Sequence, residues 1–414
     1  MKKKFLFLLV LSLLLSVSAP MLSGCASERD VTTLYVYNWG EYISDGSDGT
    51  LDVNAEFEKY CKDELGMNVE VNYSTFSSNE SMYAKISSGS AVYDVIIPSD
   101  YMIQRMVSEN LLAPLDISKI PNYQYIDDKF KGDNVYYEDD TDDIYSVPYF
   151  YGMVGIIYNT EIVSEEDAAI ESWELMWNEA YARDILQFNN SRDAFGTALY
   201  YLGYDVNEAT DEEWNEALEL LRTQKDLVQG YVMDEIFNKM MSGSAAIASY
   251  YAGDYISMYE DNDSLSFYYP KEGTNSYVDA MCIPANSKNY DLASEYINFM
   301  CSEEIAVANA EYTYYASPLT TVAHNPEYQE YMLDVHPDSI DILYGEKTDS
   351  VPTQAYLNLS PERLTLLNSL WEELKIESSI GNGIYICCGV ILGGLITLGI
   401  VHTVKKRRRA KYYD

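Results

Sequence analysis

Basic residues, histidine and cysteine are all scarce in this chain, and each scarcity closes off a class of chemistry. Lysine and arginine number 27 against 66 aspartates and glutamates, for a formal net charge of -39. Nine of the 27 sit in residues 2–4 and 405–411, so the stretch between is more acidic still. Such a surface repels nucleic acid and anionic ligands and draws in cations. It equally suits solubility at an outer cell surface. The three histidines, His324, His336 and His402, form no close pair, and no Cys-x-x-Cys occurs. That argues against a transition-metal site. No Gly-x-Ser-x-Gly and no Gly-rich phosphate loop is present, which argues against a nucleophilic triad and an ATP site. Paired carboxylates of the glycosidase kind stay open, but among 66 acids any chosen pair carries little information. The six cysteines give no disulfide framework. Cys25 sits at a processing site and Cys387 and Cys388 in an apolar segment, leaving Cys61, Cys282 and Cys301. Cys282 and Cys301 either bridge or stay as buried thiols.

The two ends address the chain to a membrane. Basic residues 2–4 precede an apolar run over 5–16, and Leu22-Ser23-Gly24-Cys25 follows. This reads as a secretory signal over residues 1–24. Its last residues resemble a bacterial lipobox, which implies cleavage before Cys25 and lipidation of its thiol. Residues 384–404 carry no Asp, Glu, Lys or Arg. As a helix they reach about 30 Å, one hydrocarbon thickness. The basic tail, 405–414, follows and places that end in the cytoplasm. The chain is thus expected at the extracytoplasmic face of the cell membrane. Gly389 and Gly393 face either lipid or a partner helix.

Between the ends, strands and helices alternate. Strands are expected at 34–39, 67–74 and 93–98, each followed by a helix, at 51–65, 79–88 and 101–110. An acidic run over 138–143 lacks the glycine and closing glutamate of a calcium loop and reads as solvated. Strands at 145–151 and 155–159 come next, then a strand at 185–188 and helices at 191–202, 211–222 and 233–241. Further strands are expected at 245–251, 265–269 and 276–283, and helices at 292–310 and 361–373. Residues 314–358 show no clear period. This order predicts an α/β chain with parallel sheets and flanking helices, whose ligands gather beyond the strands' carboxyl ends.

Tyrosine is abundant, at 40 residues, and it recurs beside acids at those strand ends. Trp39, Glu41 and Tyr42 end the first strand; Tyr251 and Asp254 end a later one; Tyr277 and Asp279 share another. Carboxylates supply charge and ring faces supply quadrupole attraction to a cation. Ammonium groups joined by methylenes need both. Reversible binding of a small organic polycation, with no cofactor or metal, is the expected activity.

Several stretches carry a family resemblance. Leu34-Tyr-Val-Tyr-Asn-Trp-Gly-Glu-Tyr42, Tyr73-Ser-Thr-Phe-Ser-Ser-Asn-Glu-Ser-Met-Tyr-Ala-Lys85 and Tyr93-Asp-Val-Ile-Ile-Pro-Ser-Asp-Tyr101 are the most specific. Pro270-Lys-Glu-Gly273 and Val278-Asp-Ala-Met-Cys-Ile-Pro-Ala-Asn286 continue them. The chain from about residue 31 to about 375 resembles the spermidine/putrescine-binding proteins of bacterial ABC transporters. The resemblance implies a two-lobed, hinged, periplasmic-binding-protein-like fold of type II. One lobe would take 31–149 and 278–323, the other 150–277 and 324–376. It implies a polyamine ligand, a permease partner and no enzymatic activity. The implied contacts are Trp39, Glu41, Tyr42, Ser99, Tyr101, Asp193, Tyr251, Asp254, Tyr277, Asp279 and Tyr315. Asn190 stands where spermidine binders carry an aspartate, and two expected tryptophans are tyrosines. The alternative is a membrane-anchored surface sensor or adhesion protein that has kept the fold.

Overall fold

Leu34 and Val36, two residues apart and fully buried, set one face of strand β1 (Thr32–Trp39), as strand alternation requires. The structure, a computed structural model, describes residues 31–131, 143–345 and 350–376. The leader, Cys25, the apolar segment 384–404, the basic tail and most of the acidic run lie outside them. Among the described residues no helix is long and apolar enough to cross a membrane.

After β1 come α1 (Val53–Asp63), β2 (Val69–Phe76), α2 (Asn79–Ser87), β3 (Val95–Ile96), α3 (Asp100–Ser108) and β4 (Ser146–Asn159). Then follow β5 (Ile185–Phe188), α4 (Ser191–Leu202), α5 (Asp211–Gln224), β6 (Val228–Val232), α6 (Glu235–Met241), β7 (Ile247–Tyr251) and α7 (Ala252–Asp261). β8 (Leu265–Tyr268), β9 (Thr274–Cys282), α8 (Tyr290–Met300), α9 (Glu303–Thr313), α10 (Pro326–Val335), α11 (Ser339–Tyr344), β10 (Thr353–Ala355) and α12 (Pro361–Ile376) complete the longer elements.

The chain divides into two compact units. The first takes the described residues through Phe150, then Val278–Thr313 and Ser317–Tyr328. In it β1 pairs in parallel with β2 and β3, and Ile96 of β3 pairs antiparallel with Cys282 of β9. Tyr37 stacks on Tyr93 with centroids 4.3 Å apart, over a core of Phe76, Met82, Met102 and Met106. Asp94, 1% exposed, is fully engaged. It accepts from the Tyr35, Lys288 and Asn289 amides, the Ser287 hydroxyl and the Asn289 side chain. Burying that charge is tolerable because so many donors replace water.

The second unit takes Tyr151–Tyr277, Tyr314–Ala316 and the described residues from Gln329. Here β5 pairs in parallel with β6 and β7, while β7 and β8 flank β4 antiparallel. β10 adds to β9 in parallel.

Most expected elements lie within a few residues of those observed; three expectations need correction. The strands expected at 145–151 and 155–159 are one 14-residue strand, Ser146–Asn159. Its glycines mark close approach rather than a break: a Cβ on Gly155 would stand 2.2 Å from Phe267 Cζ. The helix expected over 292–310 is two. The Cys301 and Ser302 amides close the end of α8, and Ser302 with Glu303 and Glu304 starts a new helix. The apolar spacing runs on across this break, which hides it. Beyond Tyr251 the chain enters a helix, α7, so Asp254, which the sequence reading set at the strand end, belongs to that helix. Of the two alternatives left for the cysteines, the buried thiols hold: Cys61, Cys282 and Cys301 are free and buried.

Candidate functional site

In the first unit three parallel strands end on one edge of the sheet. β1 delivers Trp39 to Tyr42, β2 leads to Asn79 and Glu80 at the start of α2, and β3 leads to Ser99 and Tyr101 at the start of α3. β9 runs the other way, and an antiparallel bridge sets Asp279 opposite Ser99. Directly opposed residues bring their side chains within reach. Asp279, 5% exposed, accepts the Ser99 hydroxyl on Oδ1 at 2.6 Å and the Tyr42 hydroxyl on Oδ2 at 2.7 Å. Tyr42 is buried in turn. Its ring meets Tyr149 and Phe150 edge-on, 5.6 and 5.3 Å away, and its carbonyl accepts from the Tyr149 hydroxyl at 2.9 Å. Burial holds the Tyr149 phenol well above its usual range, so it remains a donor.

Tyr101 lies beside this group. Its hydroxyl donates to Glu80 Oε1 at 2.9 Å and accepts from Asn79 Nδ2 at 3.1 Å. Trp39 packs its ring 4.6 Å from Phe76, and among the described residues nothing accepts from its buried Nε1. Glu41 is exposed, on a left-handed turn with φ 50°, while Tyr42 beside it is 4% exposed. The acid between two aromatics therefore separates: the carboxylate meets solvent and the next ring turns inward.

The second unit repeats the device. β5 and β7 are parallel, and each ends in a helix with an acid in its first turn: Asp193 in α4 and Asp254 in α7. The helix N-terminus favours a carboxylate there. Asn190 caps α4 by accepting the Asp193 amide at 2.8 Å and donates from Nδ2 to Asp193 Oδ2, also at 2.8 Å. The Tyr251 hydroxyl donates to the same oxygen at 2.8 Å. The Tyr251 phenol is held well above its usual range by burial first and by the Asp193 charge second. Its ring meets Tyr277 edge-on at 5.2 Å. Tyr277 in turn lies against Gly152, where a Cβ would stand 2.7 Å from its hydroxyl.

Asp254 accepts the Tyr315 hydroxyl on Oδ2 at 2.8 Å. Two features aim Tyr315. Gly253 leaves room for its ring, since a Cβ there would stand 2.7 Å from Tyr315 Cδ2. Tyr314 adopts φ 60°, uncommon for a bulky residue, and its hydroxyl is anchored on Glu260 of α7 at 2.6 Å.

The hydrogen bonds do not follow sequence proximity: Asp254 accepts from Tyr315, Asp193 from Tyr251 and Asp279 from Tyr42. Tyr277 and Asp279 belong to different units. Ser99 and Tyr101 join the Asp279 group as a connected set. The sequence reading missed Asn79, Glu80 and Tyr149, and it treated Asn190 only as a lost charge. A readable signal existed for the last: Asn190-Ser-Arg-Asp193 is a capping pattern. Among the described residues no group of His, Cys, Asp and Glu could hold a metal.

Comparison with known proteins adds four likenesses. Residues 54–333 match the model of the family described as bacterial extracellular solute-binding protein. The spermidine/putrescine-binding periplasmic protein of Salmonella typhimurium is 32% identical over 299 residues, covering 72% of this chain and 80% of that protein. The putrescine-binding periplasmic protein PotF of Escherichia coli is 28% identical over 332 residues, covering 77% and 85%. The solved spermidine/putrescine ABC transporter substrate-binding protein PotD of Streptococcus pneumoniae superposes with a TM-score of 0.65 at 32% identity, covering 83% of this chain and 99% of that one.

Proposed function

Because the chain belongs to the bacterial extracellular solute-binding proteins, we propose that it is the extracytoplasmic polyamine receptor of an ABC transporter. The observation that carries this reading is the threefold pairing of a buried carboxylate with a tyrosine hydroxyl, at Asp279, Asp193 and Asp254. Buried acids flanked by aromatic rings suit ammonium groups separated by methylenes, the chemistry of putrescine and spermidine. Relatives that bind these ligands support the same class.

In this reading Asp279, Asp193 and Asp254 pair the amines. Trp39, Tyr42, Tyr101, Tyr251, Tyr277 and Tyr315 supply ring surface, and Ser99 orients Asp279. Glu41 contributes charge from the exposed turn. The two compact units are the lobes, and the closed state has the higher affinity for the ligand and the permease. Binding is reversible, no bond is made or broken, and a partner hydrolyses ATP. The lipobox-like Cys25 and the apolar run 384–404 support a receptor held to the membrane by lipid and by one span.

Calorimetry of the full chain with putrescine, spermidine and glutamate tests the proposal. One equivalent of a polyamine binds and glutamate does not. Absence of heat with either amine, in folded protein, overturns it.

A further inference from the structure

Resting on that reading, a role follows for a residue outside the expected ligand contacts that hydrogen-bonds two of them, Ser99 and Tyr101. Asn79 is 4% exposed and opens α2 just after its Ser78 cap. The Ser99 amide donates to Asn79 Oδ1 at 3.2 Å. A backbone N–H can only donate, so the amide oxygen must face it, and the orientation of the Asn79 group is fixed. Its Nδ2 then presents two hydrogens, one to Ser99 Oγ at 3.0 Å and one to the Tyr101 hydroxyl at 3.1 Å. Each hydroxyl accepts from the amide and passes its own hydrogen outward. Ser99 donates to Asp279 Oδ1 at 2.6 Å, and Tyr101 donates to Glu80 Oε1 at 2.9 Å.

The result is one hydrogen-bonded chain with an amide donor at its centre and a carboxylate at each end. Ionised carboxylates only accept, so every hydrogen in the chain has a single allowed direction. We propose that Asn79 is the positioning residue of the first unit's acid and hydroxyl network: it sets the direction of the Ser99 and Tyr101 hydroxyls and so fixes the orientation in which Asp279 and Glu80 meet an arriving ammonium group. Glu80 is thereby a second carboxylate of the same network.

Asn79→Asp tests this. The variant keeps the acceptor for the Ser99 amide and loses both donors, placing a third carboxylate in the chain. The Ser99 hydrogen cannot then serve Asp279 and residue 79 together, and one acid takes up a proton when the site is empty. A bound cation expels that proton.

The expected result with putrescine is an affinity loss of about tenfold or more near pH 7 that is larger toward about pH 6 and smaller toward about pH 8, with proton release visible as a buffer-dependent heat. The unmodified chain shows a flat profile over that range. Asn79→Ala, which adds no charge, loses about fivefold with a flat profile. Thermal melting with each variant establishes that folded protein is titrated. Unmodified affinity in either variant, or a flat profile in Asn79→Asp, overturns the inference and leaves the polyamine reading standing. Absence of putrescine binding by the unmodified chain overturns both.

Discussion

The Tyr42 hydroxyl donates to Asp279 Oδ2 at 2.7 Å across 237 positions of sequence. With Ser99 on the other oxygen, the carboxylate is held by two neutral donors within its own unit. Neutral donors orient its lone pairs without cancelling its charge, so an ammonium group meets a fixed anion rather than a mobile one. Asp279→Asn keeps the shape and both neighbours but leaves a buried amine without its counter-charge. Polyamine binding should weaken by about 2–5 kcal/mol. Tyr42→Phe, which removes one orienting donor, should cost only about 0.5–1.5 kcal/mol. Titration calorimetry of the two variants checks the order; equal losses would contradict the assignment of charge to Asp279.

Asn190 serves Asp193 twice, through the helix cap and through the side-chain contact. Asn190→Ala removes both and should lower stability by about 0.5–2 kcal/mol, as lost caps do. Asn190→Ser restores the cap but not the contact to Oδ2. Denaturant midpoints should therefore recover in the serine variant while polyamine affinity stays reduced. Recovery of both would show that Asn190 acts on the helix alone.

How much of this was legible beforehand follows a physical line. Short apolar or alternating runs identified β1, β2 and β5, and the expectation that chemistry gathers at strand ends pointed to Tyr42, Ser99 and Tyr251, which donate to Asp279 and Asp193. Tyr315, which donates to Asp254, was marked by the family resemblance alone, and Asn190 was read as a lost charge. Partner choice was not legible. Tyr251 and Asp254 are near in sequence, but α7 begins between them, so Tyr251 closes a strand while Asp254 belongs to a helix and takes its hydroxyl from Tyr315, 61 positions away. Tyr277 and Asp279 share strand β9, yet the division between units falls at Tyr277. Such pairings depend on long-range packing, which periodicity does not encode.

Gly253 offers a test that leaves every polar group in place. A Cβ there would approach Tyr315 Cδ2, Cγ and Cε2 at 2.7, 2.8 and 3.0 Å. The ring cannot yield easily, because Tyr314 on its left-handed turn anchors the neighbouring residue to Glu260. Gly253→Ala should destabilise the fold by about 1–3 kcal/mol through overpacking. It should also weaken polyamine binding by moving the Tyr315 hydroxyl off Asp254. A melting curve and a titration on the same sample check both effects, and an unchanged affinity would mean that Tyr315 does not orient Asp254.

Alkaline stability should carry the mark of Tyr60. Its hydroxyl donates to Glu295 Oε1 at 2.7 Å, joining α1 to α8 in the first unit. That hydrogen bond first, and burial second, push the phenol up to about 12 from an ordinary value near 10. The folded chain then keeps a proton that the unfolded chain releases, so the unfolded state binds fewer protons and stability falls as pH rises. The contribution is fully present below about pH 10 and lost as the pH climbs through about 12. Tyr60→Phe cannot ionise and also lacks the hydrogen bond. It should be less stable than the unmodified chain at pH 9, with the difference shrinking steadily toward pH 12 in chemical denaturation at each pH. A difference that stays constant across that window would mean that the Tyr60 phenol is not raised in the folded chain.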